Sequence, residues 1–360
     1  MTEASGAIST NGASDDGAAG RPDVVDILIV GGGPTGLFAA FYAGLRGATS
    51  TIIDSLEQLG GQVSAMYPEK LIFDVGGFPA IVGKDLVTNL VEQAGQFNSG
   101  VHLSERALKL ERIPDDEVFR LETDKGVHYG KTVIICAGIG AFAPKKLPLP
   151  DLEQFERAGD IVYFVTRNED FRDRDVLIIG GGDSAVDWAL TLEPIARQLT
   201  LIHRSDNFRA HAKTVEQMMQ SRVDVHTYCE AEELHAADGR LRAVTFRHNK
   251  TKEATTVEVH KVVMSIGFLA DLGPLKSWGL EIQKNQVLAD PLTMATNIPG
   301  VFAAGDIITH PTKFKLIATG FHEAITAVNH AVHFINPKQR LGAVAHSSDL
   351  DLPAKAKQSA

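Results

Sequence analysis

Two glycine-rich stretches of one design constrain this chain more than any other feature. Residues 26–36 read DILIVGGGPTG and residues 175–185 read DVLIIGGGDSA. In each, a short apolar run precedes the glycines and a helix-compatible run comes after them. A strand with no polar alternation suits a parallel sheet, whose two faces are both covered. A glycine loop between such a strand and a helix is built to cradle a pyrophosphate. The first glycine makes the tight turn, the second lets the backbone approach, and the third lets helix and strand pack, with the phosphates at the positive helix N-terminus. Two copies predict two nucleotide-binding halves in one chain.

The order of elements predicts how those halves are connected. A strand at Asp26–Val30, a helix over about 35–46 and a strand TSTIID ending at Asp54 form the first unit, to which KTVIICAGIG adds a further strand. The proline-rich PKKLPLP, residues 144–150, reads as a linker. The second unit opens at Asp175, continues through LTLIHR and closes with HKVVMSIGF. TNIPGVFAAGDI and a helix over about 316–334 come next, too short to build a core alone. The expectation is an α/β fold of two Rossmann-like, three-layer domains, the second inserted into the first. The first domain spans 23–142 and 273–335, the second 143–272, with a C-terminal extension at 336–360. Residues 1–22 are small and polar, without the basic start and apolar centre of a secretory signal, and read as a disordered leader.

The 360 residues suffice for two domains, and 44% hydrophobic with 22% charged residues is ordinary for a soluble globular protein. No apolar run is long enough for a membrane helix. A net charge of −10 argues against non-specific nucleic-acid binding. The two cysteines, Cys136 and Cys229, suit a reducing cytoplasm and provide no disulfide framework.

The two loops differ in the residues downstream of them. Eighteen residues after Gly36 stands Asp54, where a carboxylate accepts from ribose hydroxyls; Gly31, Gly33, Thr35 and Gly36 form the loop itself. Eighteen residues after Ala185 stands His203, then Arg204, with no acid. A carboxylate there would repel a 2′-phosphate, whereas arginine pairs with one, so the loop of Gly180, Gly182 and Ser184 is read as preferring NADPH, with Arg209 as second phosphate partner. Two unlike loops imply two cofactors. Nicotinamide needs a hydride acceptor and flavin is the common one, which assigns FAD to the first loop, although spacing alone does not decide flavin. HEAIT, residues 322–326, lacks the second histidine of a zinc motif, and His330 with His333 reads as a solvated helix face, so no metal is expected.

The layout from Asp26 to about Phe334, with LGGQ, GGFP, HRSDNFRA and GVFAAGD in order, resembles the low-molecular-weight thioredoxin reductases. Their redox C-x-x-C is missing: the corresponding place reads VYFVTRNEDFRD, residues 162–173. Without that dithiol, and with GQVSAMYPEK, AFAPKKL, KLIATGFHEA and a C-terminal extension, the chain more closely resembles the thioredoxin-reductase-like ferredoxin–NADP reductases. The resemblance implies FAD on Gly31, Gly33, Thr35 and Gly36, with Asp54 on the adenosine ribose and Gln62 as a further contact. It places Tyr67 against one isoalloxazine face, Ala107 at the adenine through its backbone, Phe142 near the flavin and Asp306 on the ribityl or phosphate portion. His346 would cover the other flavin face, with Ser347 near N5, from a tail reaching across a homodimer.

The implied reaction is hydride transfer from NADPH to flavin N5, the atoms approaching to about 3–3.5 Å, then single-electron release to ferredoxin or flavodoxin. It needs no general acid or base; His346 and Ser347 are the candidates for tuning N5. Lys145, Lys146, Lys313, Lys315, Lys338 and Arg340 are candidates for a basic patch that receives an acidic partner. Two readings stand beside this one: an NADPH-dependent reductase or oxidase acting on a quinone, oxygen or another small acceptor, and a redox-silent flavoprotein that senses NADPH.

Overall fold

The structure, a computed structural model, describes residues 23–114 and 117–341. The expected leader at 1–22 and the tail from residue 342, with His346 and Ser347, lie outside the described residues. The chain forms two compact units. The first comprises the described residues up to Ala65 together with Lys70–Ala141 and those from Ala270 onward; the second comprises Met66–Glu69 and Phe142–Leu269. The chain crosses from one to the other through Ala141–Pro144 and Phe268–Asp271, which pair as a two-stranded ribbon.

In the first unit a parallel sheet runs in the order Gly100–His102, Ser50–Ile53, Val24–Val30, Val127–Ile135. The successive residues Ile27, Leu28 and Ile29 are each at most 1% exposed, so both sheet faces are covered, as the unbroken apolar run requires. Helix Pro34–Leu45 packs against helices Gly83–Ala94 and Ile317–Ile335. Fully buried Ala39, Ala40 and Ala43 keep its inward face thin. The long strand Val127–Ile135 has two roles. Its start pairs antiparallel with Val118–Thr123, and its end pairs parallel with Val301–Ala303, returning the last segment of the chain to this sheet.

The second unit holds a five-stranded, wholly parallel sheet, ordered Ile161–Val162, Lys261–Met264, Asp175–Ile179, Gln198–His203, Asp224–Thr227. Strand Asp175–Ile179 shows how its two cores are made. Val176 and Ile178 join helix residues Val186 and Ala189 in one apolar cluster. Leu177 and Ile179 join Leu241, Val244 and Phe246 of an antiparallel three-stranded sheet in the other. Alternate side chains of one strand thus serve opposite faces. Residues 144–150 depart from the linker expectation: Leu147 and Leu149 pack against this second cluster. Burying two leucines outweighs the extended bias of the intervening prolines, which fixes the segment to the unit. Among the described residues no helix is long and apolar enough to cross a membrane.

Candidate functional site

The first loop is closed by its neighbours. Gly31 has φ +111°, in the region that favours glycine, and a side chain there would meet the Cys136 carbonyl. A side chain at Gly36 would meet the Gly31 carbonyl, so helix and strand approach as closely as backbone permits. Asp54, 7% exposed just past strand Ser50–Ile53, accepts from Gly32 N–H at 2.5 Å through Oδ2 and from Leu56 N–H at 2.8 Å through Oδ1. Burial raises its pKa, opposed by those two N–H donors. The carboxylate expected on a ribose therefore also ties down the loop. Each oxygen keeps a lone pair for a further donor.

Four more segments converge here. Gly60 donates its N–H to Gly32 O at 2.9 Å, which lays LGGQ against the loop, and Gln62 Nε2 stands over the turn at Gly138. Ser104 and Glu105 donate to Leu56 O and Asp54 O, and Asp54 N–H to His102 O, so the strand opening at Ala107 starts beside the same acid. The fourth is the turn after Val301–Ala303: Ala304 N–H bonds Ile135 O at 3.0 Å, and Gly305, at φ +85°, lies against the Thr35 hydroxyl. Asp306 comes next, half-buried, with its carboxylate unpartnered among the described residues. Gly31, Gly33, Thr35, Gly36, Asp54, Gln62, Ala107 and Asp306 thus belong to one unit. Tyr67 does not: the segment Met66–Glu69 groups with the second unit, where Tyr67 packs against an apolar cluster. Phe142 lies in strand Ala141–Pro144 and also groups with the second unit.

Beneath the Gly305 turn lies a buried ion pair. Glu323 Oε2 accepts Gly305 N–H at 2.8 Å, and Lys313 Nζ donates to both Glu323 oxygens at 2.7 and 2.8 Å. The Lys313 and Glu323 side chains are 5% and 4% exposed, so Lys313 cannot contribute to a surface basic patch. His310 Nε2, buried beside this pair, has no hydrogen-bond partner among the described residues. Burial, with Glu323 adding to it, pushes the Cys136 thiol far up, which keeps it a protonated, inert filler. Cys136 and Cys229 are both buried free thiols.

The second loop repeats the first with other partners. Gly180 donates to Ile202 O at 3.1 Å, and buried Ala185 replaces the third glycine against it. Gly182 faces open space at the start of helix Asp183–Leu192, where Ser184 is exposed. The His203 ring covers Gly181, and Arg209 N–H bonds Gly181 O at 2.8 Å, folding HRSDNFR back onto the loop. Burial, then the Arg204 and Arg209 charges, lower the His203 pKa against an Asn207 carbonyl. Arg204 and Arg209 are exposed and form no ion pair among the described residues. The Asp206 carboxylate is engaged by the Tyr228 hydroxyl, with Lys250 nearby, and its pKa is lowered accordingly.

One convergence escapes any reading of the sequence. Glu105 Oε1 is bonded by Thr123 Oγ1 at 2.6 Å and lies 2.7 Å from His128 Nε2, while Oε2 lies 3.4 Å from His102 Nδ1. The consecutive antiparallel strands Ala107–Ile113, Val118–Thr123 and Val127–Ile135 bring His128 back to this acid, a meeting that no motif in the sequence announces. Of the helical histidines, His333 Nδ1 lies 2.9 Å from the Gln339 carbonyl.

Comparison with known proteins places this geometry. The family model for pyridine nucleotide-disulphide oxidoreductases matches residues 25–332. The chain is 49% identical over 321 residues to a ferredoxin–NADP reductase of Halalkalibacterium halodurans, covering 89% of this chain and 96% of that protein. It is 48% identical over 328 residues to one of Geobacillus thermodenitrificans, covering 91% and 98%. Among solved structures, thioredoxin reductase from Lactococcus lactis is 25% identical with TM-score 0.74, over 86% of this chain and 99% of that one. Thioredoxin reductase from T. acidophilum, 23% identical with TM-score 0.76 over 86% and 99%, shares the fold.

Proposed function

The chain belongs to the pyridine nucleotide-disulphide oxidoreductase family, and we propose that within it the chain transfers electrons between NADPH and ferredoxin through FAD. The relatives that match almost end to end carry the name ferredoxin–NADP reductase. One structural observation carries the cofactor assignment: two loops of one design end in unlike chemistry. The first holds a buried carboxylate bonded into the loop, and beside the second stand two exposed arginines with no ion pair among the described residues, Arg209 tied to the loop by its own N–H.

The residues present fit FAD in the first unit. Bare backbone at Gly33, where an added side chain would meet nothing nearer than 3.7 Å, and the Asp306 carboxylate, unpartnered among the described residues, are what a bound polar ligand would complete. Gly31, Gly33 and Thr35 with Gly36 would hold the pyrophosphate, Asp54 the ribose, Gln62 and Asp306 the remaining polar atoms. Bound FAD would supply the redox chemistry, exchanging two electrons with a pyridine nucleotide and single electrons with the partner. In the second unit Gly182 and Ser184 at the helix N-terminus receive the NADPH pyrophosphate, and Arg204 and Arg209 neutralise the 2′-phosphate. With both cysteines buried, electrons have no dithiol route. His346 and Ser347 keep the flavin-covering role that the resemblance implies.

Purified protein tests the reading. A yellow flavin spectrum that bleaches anaerobically with NADPH, then cytochrome c reduction only when ferredoxin is added, is the expected result. Cytochrome c reduction independent of ferredoxin would favour a small acceptor instead. A spectrum that NADPH leaves unchanged would discard the enzyme.

A further inference from the structure

We propose that the buried Glu323–Lys313 pair positions the FAD site, by fixing the N–H of Gly305 and with it the turn that presents Asp306. The inference rests on the assignment of FAD to the first unit. Glu323 reaches this turn from helix Ile317–Ile335, and Lys313 from the segment leading into that helix. The carboxylate accepts Gly305 N–H at 2.8 Å and both Lys313 contacts at once. Gly305 is in turn held sterically. A side chain at Gly305 would lie 2.9 Å from Thr35 Oγ1, and one at Gly320 would lie 2.5 Å from the same atom, so the first-loop helix, the turn and the last helix share one contact point.

A buried ion pair is weak as a stabiliser, since an apolar pair of similar volume often serves the fold as well or better. What an apolar pair cannot do is accept Gly305 N–H. Glu323 supplies that acceptor, and Lys313 keeps the acceptor's charge compensated. The pair acts through the turn, so both are positioning residues rather than catalytic ones.

The test separates acceptor from charge. In Lys313→Met/Glu323→Gln the amide oxygen still accepts from Gly305 and no buried charge is left. In Lys313→Met/Glu323→Leu the acceptor is gone. Full-length apoprotein of each is titrated with FAD, its urea midpoint is measured, and the visible circular dichroism of bound flavin is recorded. The glutamine variant should bind FAD within about threefold of wild type with an unchanged dichroism spectrum. The leucine variant should bind roughly tenfold or more weakly with an altered spectrum, its urea midpoint lying below that of the glutamine variant because the Gly305 N–H is left unsatisfied, while the apoprotein remains folded under the titration conditions. Leucine and glutamine variants that bind FAD equally would overturn the proposal. Should leucine not fold, Lys313→Met/Glu323→Met, with an unbranched side chain that fills irregular space, gives the same comparison. Wild-type apoprotein that takes up no FAD would instead remove the cofactor assignment itself.

Discussion

Gly32 donates its N–H to Asp54 Oδ2 at 2.5 Å, so the residue that ends the second strand also closes the first glycine loop. Two N–H groups, those of Gly32 and Leu56, depend on this one carboxylate. Asp54→Ala leaves both unsatisfied, at a cost of about 1–3 kcal/mol for each buried donor that water cannot reach. The expected outcome is a lower urea midpoint for the apoprotein and at least roughly tenfold weaker FAD binding. Asp54→Asn, with one acceptor oxygen in place of two, should fall between. An alanine variant that matches wild type in both measurements would show that the carboxylate neither holds the loop nor meets the ribose.

The loops are legible in the sequence because their chemistry is local. Glycine spacing, the flanking apolar runs and the residue eighteen positions on are all written within thirty residues, and Asp54 lies against the first loop, bonded to Gly32 N–H. Lys313 is not legible. In the sequence it is one of two lysines in THPTKFKLI, and it is paired inside only because Glu323 arrives ten residues later on a helix. The antiparallel strands Ala107–Ile113 and Cys229–Ala237 are hidden for a related reason. Their half-exposed, charge-bearing patterns lack the clean alternation that marks a strand. The linker expectation fails because it weighs prolines above the two leucines between them, and packing decides otherwise.

Correcting Lys313 sharpens the docking prediction. Lys315 and Lys145 are exposed, whereas Lys313 is paired inside. Lys315→Glu should slow ferredoxin reduction several-fold at low salt while leaving reduction of a neutral dye unchanged. The difference should shrink above about 0.1 M salt, where the screening length falls to about 10 Å. Lys313→Glu should behave differently, yielding flavin-poor or misfolded protein because it sets a second carboxylate against Glu323. Equal slowing of ferredoxin and dye by Lys315→Glu would remove that lysine from the docking surface.

Acid stability should depend on Asp160 in the second unit. Burial opposes its ionisation, but the Arg240 side chain, the Leu241 N–H and nearby Lys261 outweigh burial and hold its pKa below the ordinary value. Arg240 Nε donates to both carboxylate oxygens, at 3.1 and 2.9 Å. A lowered folded-state pKa means the unfolded chain binds the proton more readily. The stabilisation is therefore present above the unfolded value of about 3.9 and is lost as pH falls through the lower folded value. Asp54 has the opposite sign: its raised folded pKa stabilises below the unfolded value, and that share is lost as pH rises through the folded one. Urea midpoints measured from pH 7 to 2.5 should fall less steeply at the acid end for Asp160→Asn than for wild type. Parallel acid limbs would show that another group carries the loss.

The nucleotide preference should reside in Arg204 and Arg209. Both are exposed cations, the second brought to the loop by its own N–H on Gly181 O at 2.8 Å. The nearby acid Asp206 forms no ion pair with either among the described residues, its carboxylate lying beside Tyr228 and Lys250. The phosphate is the only charge that distinguishes NADPH from NADH here, so losing one guanidinium should affect only the phosphorylated coenzyme. Arg204→Ala and Arg209→Ala are each expected to raise KM for NADPH roughly tenfold, a charge-assisted contact discounted for exposure to solvent. KM for NADH and both kcat values should hold. If the two guanidinium groups bind the same phosphate independently, the double variant should approach a hundredfold. Steady-state kinetics with both coenzymes decides it: a matched loss for NADPH and NADH would place these arginines in the fold of the loop rather than on the 2′-phosphate.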